Sequence, residues 1–194
     1  MRTAEIERTT AETSVKIRLN LDGQGNSQID TGIGFFNHML TLFAKHGLFD
    51  LSVRCQGDLQ VDGHHSVEDI GITLGDAFRQ ALGSKEGIAR YGSFYVPMDE
   101  ALAFVALDIS DRPFLVYDAG AVAPMIGSYD SELTEEFLRA FAFHAGITLH
   151  VKVLYGTNSH HKIEAVFKAI SHALRCSVTI DPCIKGVLST KGVL

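Results

Sequence analysis

His64-His65-Ser66-Val67-Glu68, residues 64–68, is answered 96 positions later by His160-His161-Lys162-Ile163-Glu164. The echo continues downstream at the same offset. Ala77 and Ala173 are identical, as are Arg79 and Arg175, while Ile70/Val166 and Phe78/Leu174 are alike. Upstream, before a loop that is two residues shorter in the second half, the offset is 98. There His46 falls on His144, Leu51 on Leu149 and Val53 on Val151. A repeat of this length implies two similar α/β units packed as a pseudo-symmetric pair.

The hydropathy pattern around the two blocks supports this. Residues 2–8 and 13–21 read as strands, the second alternating Val15, Ile17, Leu19 and Leu21 against polar neighbours. Residues 34–46 have apolar positions at helical spacing and stop at Gly47, and 48–55 reads as a strand. Residues 64–82 read as a helix with two internal glycines, Gly71 and Gly75. Each glycine costs a helix roughly 1 kcal/mol relative to Ala, unless it permits close packing. The pattern then restarts, with strands at 93–98, 101–109 and 113–119, a helix at 131–146, a strand at 147–155 and a helix at 159–176. The first half reads strand–strand–helix–strand–helix, and the second follows the same order with one more strand before its first helix.

Composition narrows the function. The chain has 194 residues, 46% hydrophobic, with a formal net charge of −6. The apolar fraction disfavours disorder, and an acidic chain disfavours a nucleic-acid interface, which needs a basic stripe. The charged N-terminus lacks a signal-peptide core, and no apolar run is long enough to cross a membrane. Cys55, Cys176 and Cys183 are an odd number without close spacing, which suits a reducing cytoplasm better than a disulfide framework.

Nine histidines are the odd feature of the composition. Positions i and i+4 share a helix face, so His64 with Glu68, and His160 with Glu164, can each hold one metal ion. Adjacent residues point about 100° apart, so His65 and His161 reach a second ion, or one held by another copy of the chain. Imidazole and carboxylate suit Mn, Fe, Zn or Co, and a ligand set without Cys disfavours structural zinc. His38 on the first helix falls, at the 98 offset, on Glu136, which also has a ligating side chain. Arg90, Arg112, Lys168 and Lys191 are candidate anion holders. Neither a phosphate-binding P-loop nor a dinucleotide motif is present.

FFNHML, DGHHSVEDIGI, VPMDEALA, NSHHKIEAVFKA and the terminal STKGVL together resemble the imidazoleglycerol-phosphate dehydratases of histidine biosynthesis, in order and over essentially the whole chain. The resemblance implies an α+β fold. It would be a tandem duplication of a two-layer unit, each half a four-stranded sheet with helices on one face. Residues 1–194 would form a single domain of half-repeats at approximately 1–90 and 91–194. It also implies a cytoplasmic homo-oligomer of 24 subunits, with two Mn²⁺ ions per active site at subunit interfaces. One ion would take His38, His64, Glu68 and His161; the other His65, His160, Glu164 and Glu136, where many members carry His. Substrate contacts carry over to Glu12, His38, His46, His64, His65, Glu68, Arg90, Arg112 and Lys168, with Ser189, Thr190 and Lys191 from the tail.

The implied reaction removes water from imidazole glycerol phosphate to give imidazole acetol phosphate. Metal ions on the ring nitrogens would stabilise an imidazolate, because no carbonyl makes the breaking C–H acidic. Glu12, His46 and Glu164 are the candidates for proton transfer. Asp99 and Glu100 are expected to bond backbone amides, and His144, His150 and His172 to be structural. The competing reading is a dinuclear metal-dependent phosphohydrolase built on the same His/Glu set, which would release phosphate. A non-catalytic metal-binding assembly protein would have no need of the basic residues. An RNA-binding module is disfavoured by charge.

Overall fold

The alternating segments form strands and the amphipathic ones helices in the computed structural model, which describes residues 1–194. The first half runs β1 (Thr3–Thr9), β2 (Thr13–Asn20), β3 (Ser27–Asp30), α1 (Gly34–Gly47), β4 (Asp50–Gly57) and α2 (His64–Leu82). The second runs β5 (Tyr91–Met98), β6 (Ala101–Ile109), β7 (Phe114–Asp118), β8 (Met125–Ile126), β9 (Tyr129–Asp130), α3 (Leu133–Ala145), β10 (Ile147–Tyr155) and α4 (Ser159–Val178). The halves match element for element, apart from the small β8–β9 hairpin.

Their sheets also match. The orders are β1-β2-β4-β3 and β5-β6-β10-β7, antiparallel except for the last strand of each, which pairs in parallel. Strand β3 is a correction to the sequence reading, which passed from β2 to α1 through a turn. Its sequence, SQID, has one apolar residue in four and too little alternation to register. It is ordered by its parallel pairing with β4, Ile29 facing Val53.

Helix α2 covers the first sheet and α4 the second, while α1 packs on α4 and α2 on α3. The four helices therefore lie between the sheets, and one apolar core of 49 residues runs through both halves. The two glycines of α2 allow this closeness. A Cβ on Gly71 would stand 2.8 Å from the Phe137 carbonyl oxygen, and one on Gly75 would stand 2.8 Å from that of Phe141. The repeat places Phe167 and Ser171 at these positions in α4.

Helix ends keep the repeat. Asp62 accepts from the His64 N–H at 2.8 Å, and Asn158 accepts from the His160 N–H at 2.9 Å, so each His pair opens the first turn of its helix. Leu48 after α1 and Gly146 after α3, again 98 apart, are both left-handed. No helix is long and apolar enough to cross a membrane. The three cysteines are free.

Candidate metal centre and active site

Helix α1 brings His38 onto the first turns of α4. His38 Nε2 lies 3.3 Å from Glu164 Oε2, and His160 Nε2 lies 3.0 Å from the same oxygen. Donor atoms of the three residues lie within 4.8 Å of one another. Lys168, one turn further on, holds the other Glu164 oxygen at 2.6 Å. Burial works to raise the Glu164 carboxyl. Lys168, His160 and His38 override it and hold the group below the usual carboxylate value.

Within one chain His38 meets His160 and Glu164, whereas the resemblance groups it with His64 and Glu68 at an interface between chains. The reason is packing: α1 lies on α4, and α2 lies on α3. By the repeat, the equivalent set is His64, Glu68 and Glu136. Of these, His64 and Glu136 line one cavity of about 540 Å³ between the starts of α2 and α3.

The second histidine of each pair turns away from the first. The His64 and His65 rings are 89° apart, and those of His160 and His161 are 81° apart. His65 Nδ1 meets the Asp58 carboxylate at 3.0 Å, and its Nε2 lies 3.8 Å from Glu12. His161 Nδ1 meets Glu100 at 2.7 Å. The carboxylates raise both imidazoles above their ordinary value. The other Glu100 oxygen accepts from the Thr157 and Asn158 N–H groups at 3.0 and 2.7 Å. Glu100 thus has the backbone-bonding role expected from its sequence, and it also orients His161.

Two turns beyond His38, His46 Nδ1 lies 3.3 Å from His172 Nε2. In the other half the same positions hold His144 and Asp76, 2.9 Å apart. His150 stands exposed on the outer face of its sheet, away from the helices.

Of the basic candidates, Lys168 lies at Glu164, whereas Arg90 and Arg112 meet at Asp108 on β6. Asp108 accepts from Arg90 Nε at 2.7 Å and Nη2 at 3.0 Å, and from Arg112 Nη2 at 3.3 Å. Arg90 is buried, has φ +69°, and donates its Nη1 to the Leu188 carbonyl at 2.6 Å. It therefore anchors the tail just before Ser189, Thr190 and Lys191. Arg112 is 64% exposed in its side chain and keeps free donors.

The family model for imidazoleglycerol-phosphate dehydratase matches residues 31–174. The chain belongs to this family. It is 60% identical over 190 residues to the dehydratase of Acetivibrio thermocellus, covering 98% of this chain and 97% of that one. It is 59% identical over 194 residues to that of Listeria welshimeri, covering all of both. A crystal structure of the Staphylococcus aureus dehydratase superposes with a TM-score of 0.84 at 42% identity, over 92% of this chain and 99% of that one. The Pyrococcus furiosus structure also scores 0.84, at 36% identity, over 97% and 100%.

For a dehydratase of this family, the donor chemistry at α1 and α4 fits a divalent ion. Two imidazole nitrogens and a carboxylate, with donor atoms within 4.8 Å, are the ligand types such ions take. Asp58, Asp76, Asp108 and the partnership of His172 with His46 are not singled out by the sequence. All but Asp58 left a signal. The 96 and 98 offsets carry His144 and Asp76 onto His46 and His172, and Asp108 lies four residues before Arg112.

Proposed function

We infer that this hydro-lyase works with two divalent ions, Mn²⁺, held by His38, His64, His65, Glu68, Glu136, His160, His161 and Glu164, at sites that neighbouring chains complete. Family membership makes the chain an enzyme of histidine biosynthesis that dehydrates imidazole glycerol phosphate. The meeting of His38, His160 and Glu164 carries the metal reading. The outward turn of His65 and His161 supports sharing between chains. So does the second sheet's outer face, which exposes Tyr95, Phe114 and Val116. A particle of 24 copies, a single domain of half-repeats 1–90 and 91–194, and a cytoplasmic site suited to free cysteines complete the reading.

When bound, the ions supply Lewis-acid stabilisation and a template for the substrate's imidazole ring. The protein's own groups do the rest. Arg112, Lys168 and the tail's Ser189, Thr190 and Lys191 grip the phosphate, where charge-assisted bonds are strong. Arg90 contributes by holding the tail. Glu12, His46 and Glu164 are the groups placed to move protons. One takes the proton from the carbon, another protonates the adjacent hydroxyl as it leaves as water, and the enol that remains becomes the ketone. In Glu12→Gln, loss of solvent exchange at that carbon with metal binding intact supports Glu12 as the first of these; unchanged turnover removes it.

Elemental analysis with native mass tests the arrangement. The expected result is two Mn per chain in a particle of roughly 500 kDa, from 24 copies of 21.1 kDa. A metal-free monomer overturns it.

A further inference from the structure

The repeat makes one pair of side chains stand out. In the second half's first helix, His144 Nδ1 meets a carboxylate, Asp76, at 2.9 Å. In the first half, the same position of α1 holds His46, and the residue opposite is His172, with Nδ1 and Nε2 3.3 Å apart. Phe94 stacks on the face of the His172 ring, ring centroids 4.5 Å apart and 16° from parallel, so this ring has a fixed orientation. The pair lies on the same two helices as His38, Glu164 and Lys168, two turns along.

Two imidazoles at this distance share one hydrogen. A carboxylate would hold a neighbouring imidazole cationic, whereas an imidazole leaves it neutral and selects its tautomer. With Nδ1 engaged by His172, Nε2 of His46 is the nitrogen left for substrate. We propose that His172 is a positioning residue for His46, holding it neutral and in one tautomer so that Nε2 can exchange a proton with substrate. The proposal rests on the dehydratase reading. The charged and titratable groups acting on the pair are Lys168 and Glu164 on His46, and Arg175 on His172. Burial, Lys168 and Arg175 favour the neutral rings, and Glu164 opposes them for His46.

Three variants test this: His172→Ala, His172→Gln and His172→Asp. The readouts are the pH profile of kcat and ¹⁵N-histidine magic-angle-spinning spectra of the assembled protein, which report the His46 tautomer without turnover. His172→Ala is expected to lower kcat about tenfold with KM within about twofold, and to give mixed His46 tautomers. His172→Gln, which keeps a hydrogen-bonding partner, restores one tautomer and most of kcat. His172→Asp copies the other half's pair and moves the acid limb of the profile upward by about one unit. Equal loss in Ala and Gln, or wild-type tautomer and profile in all three, overturns the proposal. A wild-type protein without dehydratase turnover but with a single His46 tautomer that Ala disperses would instead count against the parent reading.

Discussion

His38 and Glu164 lie 126 positions apart, yet Nε2 of one is 3.3 Å from Oε2 of the other. The contact crosses the boundary between the halves, because α1 of the first packs on α4 of the second. Its functional consequence is a donor group that neither half can build alone. His38 is well exposed, so replacing it costs little packing. His38→Gln is expected to leave the unfolding temperature nearly unchanged while bound metal and turnover fall at least about tenfold. Elemental analysis after gel filtration reads this; full metal content in the variant contradicts it.

Glu100 couples the β5–β6 turn to the start of α4 through one oxygen on two backbone N–H groups and the other on His161. An outer partner of this kind fixes a ligand's ring before metal arrives. Glu100→Ala should lower metal affinity by about 10–100-fold. Glu100→Gln should lose less, since an amide oxygen can still accept from the loop. Titration with a competing chelator measures both, and equal affinity in wild type and Glu100→Ala would remove the role.

Gly75 pays a helix penalty that its packing recovers. In Gly75→Ala the new methyl meets the Phe141 carbonyl and the Ala145 nitrogen inside 3 Å. Helix propensity alone would make Ala stabilising by about 1 kcal/mol. Forcing α3 away should cost about 1–3 kcal/mol and outweigh that gain. The expected outcome is a lower unfolding temperature by calorimetry; a higher one would show that the helices can shift freely.

Acid should weaken the fold through His46 and His172. Burial holds both below the ordinary imidazole value, helped by the His172 ring and Lys168 for His46 and by Arg175 for His172. In the unfolded chain each titrates near the ordinary imidazole value of about 6.5. Below that pH the unfolded state binds protons that the folded state refuses, so stability declines as pH falls from about 6.5 toward the folded values. Above it these two groups contribute no slope. His65 and His161, raised by their carboxylates, act in the opposite sense over the same range, so the test is a comparison: acidification from about pH 7.5 to 5.5 should lower the urea midpoint less in His172→Gln than in wild type. Identical slopes would contradict this source of acid sensitivity.

Much of this architecture is legible in the chain because strands with one buried face must alternate and ligand pairs at i and i+4 must share a helix face. Val15, Ile17 and Leu19 mark β2 for that reason, and the doubled His-His-x-x-Glu block marks both helix starts. Strand β3 was not legible, since Ser27–Asp30 is held by pairing with β4 rather than by its own pattern. The meeting of His38 with His160 and Glu164 within one chain was not legible either. Which helix lies on which is decided by tertiary packing, as where glycines at 71 and 75 let α2 approach α3. Asp58, Asp108 and His172 gain their roles only from neighbours distant in sequence or across a turn.

If the His and Glu residues at these helix starts hold ions required for dehydration of imidazole glycerol phosphate, turnover must follow the metal. The most direct test follows the products of that substrate with metal-loaded protein, then again after chelation and Mn²⁺ return. Ketone should form without inorganic phosphate, and turnover should be lost on chelation and recovered with Mn²⁺. Release of phosphate, or ketone formation that survives complete removal of metal, would contradict this.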